Sequence, residues 1–235
     1  MDNNKYITLL VEQYSPLADD TQKTWWENHV KHDAVFRGIK MGDIRITAHN
    51  WYRHNLPVDD LERLTDISIE LLKRYYAEEK LAGIILLNEI LLERLTDETI
   101  LQSIANIFRK GYIYDCNITD WLCVRFLNSM IMQNGKSSSQ VISSWVDEDY
   151  LWLARCSIVP FIYIKGNKHD ALLRRNCIKM IKRKERFAKT AVGWALMEKS
   201  KTNPDFTISF VKKQEKYFNQ ESLKRALKYI NSGLT

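Results

Sequence analysis

Four stretches of this chain fall into one register: "EEKLAGIILLNEIL" (78–91), "DYLWLARCSIVPFI" (149–162), "ERFAKTAVGWALME" (185–198) and "ESLKRALKYI" (221–230). Each opens with charged or polar residues and turns apolar. Each then carries a small residue near its middle, where a neighbouring helix can approach closely. Gly83, Arg155, Lys189 and Arg225 occupy one register position, separated by 72, 34 and 36 residues. The first gap is two periods long. The position it skips falls near 119 in "NITDWLC", where Asp120 stands. A period of 34–37 residues accommodates two helices and their connections, the unit of a helical-repeat array.

The punctuation of the chain agrees with that reading. Only eight Gly and four Pro interrupt 235 residues, so helices are long and connections short. Apolar residues recur at helical spacing, and no stretch reads as a run of paired strands. About a dozen helices are expected. "TDET" (Thr96–Thr99) and "NPD" (Asn203–Asp205) offer N-caps, the latter with Pro204 at the first helical position. "NGKSSSQ" (134–140) reads as a loop. The fold expected is all-α, a HEAT-like repeat α-solenoid (α-α superhelix) forming one domain over 1–235. Its concave surface would be lined by equivalent positions of successive repeats, bringing Asp120, Arg155, Lys189 and Arg225 together.

The charge is unevenly distributed. Residues 1–164 carry 17 Lys+Arg against 23 Asp+Glu, and residues 165–235 carry 18 against 6. An acidic two-thirds is thus joined to a strongly basic third, which suits an anionic partner, with nucleic acid the first expectation. The longest apolar run, "LAGIILLNEILLERL", is broken by Asn88 and Glu89 and is too short and polar for a membrane span. The N-terminus has no basic region ahead of an apolar one, so a cytoplasmic protein is expected. A monomer is expected as well. Cys116, Cys123, Cys156 and Cys177 form no CxxC pair, and the histidines have no metal-ligand spacing with carboxylate support. Neither a metal nor a small-molecule cofactor is expected.

Several segments carry a resemblance to a known family. "FAKTAVGWALMEKSKTNPD" (187–205), "YLWLARCSIV" (150–159), "FRGIK" (36–40), "EEKLAGIILL" (78–87) and "TDWLC" (119–123) together resemble the AlkC/AlkD superfamily of HEAT-like-repeat DNA alkylation repair proteins, AlkD-like members above all. The resemblance implies hydrolysis of the N-glycosidic bond of cationic N3- or N7-alkylated purines, without metal or cofactor. A cationic alkylpurine is already a good leaving group. What remains is to stabilise an oxocarbenium-like sugar and place a water, which one carboxylate can do. Indoles then offer flat contacts to the sugar and the cationic base.

Carried over residue by residue, the resemblance makes Asp120 the catalytic carboxylate, with Arg155 and Trp194 in the same cleft. Trp25 stands where the family has a tyrosine near the lesion. One position departs: four residues before its aspartate the family pattern has a tryptophan, and this chain has Cys116. Trp152, Lys182, Arg183, Lys184, Lys189, Lys199, Lys201 and Arg225 join Trp25 as candidate DNA contacts. Plainer roles stand beside these. Asp120 could cap a helix, Arg155 could form a salt bridge between repeats, Trp25 and Trp26 could pack in the core, and the 182–186 charge run could be a solvated face. Three functions stay open: an alkylpurine glycosylase, a non-catalytic binder of bent or branched DNA on the same fold, and a protein-binding repeat scaffold.

Overall fold

The computed structural model describes residues 3–31, 33–95 and 99–231. Among them are fifteen α-helices and no strand. Close contacts group the chain into two compact units, Met1–Phe126 and Leu127–Thr235. The first holds α1 (Asn3–Glu12), α2 (Asp20–His29), α3 (Met41–Asn55), α4 (Leu61–Leu72), α5 (Ala77–Leu86), α6 (Thr99–Arg109) and α7 (Cys116–Leu122). The second holds α8 (Asn128–Asn134), α9 (Lys136–Ser144), α10 (Leu151–Arg155), α11 (Asp170–Ile181), α12 (Arg186–Ser200), α13 (Pro204–Gln214), α14 (Gln220–Ala226) and α15 (Lys228–Asn231). The boundary falls in the π-turn Cys123–Leu127, and a second π-turn, Leu87–Leu91, follows α5. Among the described residues no helix is long and apolar enough to cross a membrane.

The architecture is the α-solenoid that the period implied. The second helices of successive pairs begin at residues 77, 116, 151, 186 and 220, in steps of 39, 35, 35 and 34. Side-chain hydrogen bonds repeat that spacing in the second unit. Arg155 reaches the carbonyl of Phe187, Arg174 that of Phe206, and Lys199 that of Gly166, at sequence separations of 32, 32 and 33. Each such bond ties one helix pair to the next.

The small residues in mid-helix do what their place suggested. A Cβ on Gly83 would lie 2.7 Å from the Ser68 carbonyl oxygen of α4. One on Gly193 would lie 2.7 Å from the Ser222 carbonyl oxygen of α14. Helix backbones touch at both points, and even alanine would have to push them apart.

Buried charge locks the first unit. The Glu78 carboxylate is 1% exposed and accepts hydrogen bonds from the backbone N–H groups of Arg37, Gly38 and Ile39 at 2.9–3.2 Å. Gly38 allows that loop to wrap the carboxylate, with φ +87° and the Asp19 carbonyl oxygen 2.0 Å from where a Cβ would stand. Beside it, Glu79 takes the Arg37 guanidinium at 2.5 Å and that of Arg74 at 3.2 Å, and Arg37 lies 3.9 Å over the Tyr76 ring. "FRGIK" and "EEK" are thus two halves of one structural device.

The helix start expected at "NPD" is capped as its chemistry implies. Asn203 accepts from the Phe206 N–H at 3.1 Å with Pro204 at the first helical position, and Asn219 and Ser222 close a reciprocal capping box on α14. The cap expected in "TDET" lies outside the described residues, which omit 96–98. The loop expected at "NGKSSSQ" is not one. Only Gly135, at φ +60°, separates α8 from α9, and Ser138, Ser139 and Ser143 are buried within the second helix. Serine favours turns when its hydroxyl competes for backbone groups. Here Ser139 bonds back to the Lys136 carbonyl inside the helix, and packing decides the outcome.

Candidate functional site

Asp120 stands in the second turn of α7. The cap of that helix is Asp115, whose carboxylate accepts from the Ile118 N–H at 2.9 Å. Capping therefore falls to Asp115, and Asp120 is a half-buried mid-helix carboxylate. Asp115 is only 1% exposed. Burial pushes its carboxyl up to about 6, against the pull of the Ile118 and Asn117 N–H groups and of Lys80, while the neighbouring Asp120 adds to the rise. Lys80, also buried, donates to the Tyr112 carbonyl and lies 5.0 Å from the Tyr114 ring centre. Its ammonium is held below the usual lysine range, chiefly by burial.

Cys116, half-buried, lies one turn before Asp120 on the same side of α7. Trp121, next to Asp120, holds Arg125 over its ring at 5.0 Å. It lines a shallow cleft with Trp26, Phe36, Met41 and Leu81. The repeat register selected neither Trp121 nor Trp26; that these two indoles, far apart in sequence, line one cleft has no local sequence signal. Trp25 is 54% exposed, stacked on His29 at 5.1 Å and edge-on to Trp26 at 4.8 Å.

Arg155 and Trp194 belong to the second unit, Asp120 to the first. Arg155 is 3% exposed and donates to the Phe187 carbonyl at 2.7 Å, and Trp152 packs on the Phe187 ring at 5.1 Å. Trp194 is half-buried, with Arg225 over its ring at 5.2 Å and the Tyr163 ring edge-on at 6.1 Å.

The remaining cations divide into two groups. Arg183 donates to the carbonyls of Glu148 (2.9 Å) and Asp149 (2.7 Å) and pairs with Glu185 at 2.6 Å. That pairing holds the Glu185 carboxyl below the usual range. Lys189 donates to the Tyr217 carbonyl. Lys199 is 8% exposed and held by Gly166, Asn167 and Asp170. These three fasten the fold. Lys182 and Lys184 are exposed, the former 5.6 Å from the Tyr217 ring, and Lys201 reaches Glu198 at 2.6 Å and the Tyr229 ring at 4.9 Å. They and the exposed Lys212, Lys213 and Lys216 present charge to solvent.

A half-buried carboxylate in one helical unit, and an indole bearing a guanidinium in a strongly basic one, occur here on a repeat fold. The family model for DNA alkylation repair enzymes matches residues 10–230, and the chain belongs to that family. Solved structures similar to it include the following two. One is a predicted DNA alkylation repair enzyme from Enterococcus faecalis, at 18% identity and TM-score 0.76, covering 91% of this chain and 96% of that one. The other is AlkD2 from Streptococcus mutans, at 15% identity and TM-score 0.63, covering 97% and 99%. At these identities the likeness is one of fold. No curated protein matches the chain.

Proposed function

We propose that this protein binds duplex DNA through its basic second unit and hydrolyses the N-glycosidic bond of cationic N3- or N7-alkylpurines, with Asp120 as the catalytic carboxylate. The observation that carries this reading is the membership of the DNA alkylation repair family over residues 10–230, with a half-buried carboxylate at Asp120. Asp115 caps α7, so capping is not the role of Asp120. In the reaction the C1′–N bond breaks and its electron pair leaves with the base, which becomes neutral. The Asp120 carboxylate stabilises the positive sugar and takes a proton from the water that attacks C1′. Lys182, Lys184 and Lys201 contact the phosphate backbone, whereas Arg155, Arg183, Lys189 and Lys199 support the framework behind it.

The test is release of 3-methyladenine or 7-methylguanine from methylated duplex DNA. Asp120→Asn should cut release by about 10²-fold or more while leaving affinity for unmodified duplex unchanged. Wild-type protein that releases no base at high concentration would overturn catalysis. A second reading, a non-catalytic DNA binder of the same family, is favoured by Cys116 and by the guanidinium that already covers one face of Trp194. It requires the same salt-dependent duplex binding without base release.

A further inference from the structure

The connections that lead into α5 and α7 share a pattern. "KRYY" (73–76) and "RKGYIY" (109–114) each set two cations ahead of two tyrosines. The cation pairs lie 36 residues apart (109 − 73 and 110 − 74), one period of the repeat. Tyr75 is 63% exposed, Tyr114 41% and Tyr112 38%. Their surroundings hold them in place. Ile113, between two of them, is fully buried, and Lys80 donates to the Tyr112 carbonyl with its ammonium 5.0 Å from the Tyr114 ring centre. Tyr76 meets Tyr75 edge-on at 5.2 Å and carries the Arg37 guanidinium over its own ring. Because α5 packs on α7, the two groups of tyrosines are neighbours. Burial, then the Asp115 carboxylate and the Tyr75 phenol, raise the phenol of Tyr114. The arrangement lies wholly in the first unit.

The charge exposed on these two stretches is cationic, although the unit as a whole is acidic. Glu78, Glu79 and Asp115 are buried, and Glu70 pairs with Lys73. Arg74 bonds Glu79 through Nε at 3.2 Å, and its side chain stays 45% exposed. Arg109 and Lys110 are exposed. Rigidly held rings beside cations match the chemistry of an unpaired nucleic-acid strand. Each unpaired base has a π-face for a ring, and each phosphate a charge for a cation. The bases of a duplex stack on one another and present no such face to a side chain. An acidic peptide would match the cations and leave the rings without flat partners. A proline-rich peptide would cover the rings and leave the cations unmatched.

We propose that Tyr75, Tyr112 and Tyr114, with Arg74 and Lys110, form a site for an unpaired DNA strand, its bases stacked on the rings and its phosphates met by the two cations. The residues are separate from the lysines that the duplex-binding reading uses. The proposal rests on that reading only in taking the nucleic acid to be DNA, as the family membership indicates. Such a site equips the protein for DNA in which one strand has lost its partner, at an end, a gap or a fork.

The experiment is fluorescence anisotropy with two labelled strands of about 15 nucleotides and equal charge, oligo-dT and a chain of tetrahydrofuran abasic units. Cations anywhere on the protein meet both strands alike, and only oligo-dT has bases to stack. Wild type should bind oligo-dT about tenfold more tightly than the abasic chain. Tyr75→Ala should cut that ratio about threefold, adding Tyr112→Ala should bring it close to one, and Tyr75→Phe should keep it. Each variant is checked by thermal melting. Tyr75 is largely exposed, so its single variants carry the test if the double variant does not fold. Lys110→Gln should weaken both strands alike and lower the slope of log K against log [KCl] by about 0.7. Affinity for duplex should be unchanged in Tyr75→Ala. A wild-type ratio near one, or a ratio that Tyr75→Ala leaves unchanged, overturns the proposal while the duplex reading stands. Equal loss of duplex and oligo-dT binding in Tyr75→Ala marks a general DNA contact and overturns it too. Wild-type protein with no affinity for either form at low salt overturns both readings.

Discussion

The two units handle charge in opposite ways. Residues 1–126 carry 15 Lys+Arg and 20 Asp+Glu, a net of −5, and residues 127–235 carry 20 and 9, a net of +11. The first unit buries acids: Glu78, Glu79 and Asp115 lie inside it with Lys80. The second buries bases, Arg155 and Lys199, and fixes further cations on backbone carbonyls. The acceptors are carbonyls in the first turns of α12 and α13 (Phe187, Phe206), in the connections before α10 and α11 (Glu148, Asp149, Gly166) and at Tyr217. The lesson is that net charge overstates the contact surface. Part of the basic excess is mortar. It still contributes to the long-range field that draws an anion in, but it cannot also grip a phosphate.

The sharpest way to break this comparison is to remove the acid that organises the first unit. Glu78→Ala leaves three buried N–H groups without an acceptor and should cost about 3–5 kcal/mol in urea unfolding. Hydrogen exchange should show amides of residues 35–40 losing protection, while those of α12 and α14 keep theirs. Equal loss in both units would show that the lock is not local.

Next in size is a pH effect confined to the first unit. The folded-state pKa of Asp115 is raised, so between about pH 4 and pH 6 the folded protein holds a proton that the unfolded chain has released. The contribution of this group to stability therefore falls as pH rises through that window, by at most about 3 kcal/mol. Asp115→Asn keeps an oxygen for the α7 cap and does not titrate. Melting curves at pH 4 and pH 7 should show wild type losing more stability across the interval than the variant. The same difference in both proteins would mean that Asp115 does not carry the effect.

The smallest effect sharpens the split among the cations of the second unit. Lys182→Glu with Lys184→Glu should weaken duplex binding about tenfold or more at low salt, with little change in melting temperature. Arg183→Glu, between them, should instead lower the melting temperature, because it strips the donors from the Glu148 and Asp149 carbonyls. If all three substitutions act alike, surface and mortar are not distinct here.

The repeat and its small residues were legible in the sequence because both are local constraints. A period survives as spacing, and a backbone contact between helices excludes every side chain except glycine's. "GW" at 193–194 stood out in the sequence, but the guanidinium over Trp194 did not, since Arg225 comes from another helix. Lys199 and Arg183 read as surface charge because a carbonyl acceptor is present at every residue and leaves no mark in the sequence. Asp120 and Asp115 illustrate the same limit. Both lie in "DCNITD", and which one caps α7 depends on where the helix begins, a boundary set by tertiary packing.

The hydrogen bonds that span 32 or 33 residues have a consequence for how the second unit comes into being. Every such tie joins a helix pair to the one synthesised just before it, so loop closure is short and nearly uniform. A chain leaving the ribosome can seat each rung as it emerges, with no distant strand to await. The same rule implies where the chain tolerates growth. A whole extra period could be inserted between existing rungs and meet its neighbours on both sides with the bonds they already make.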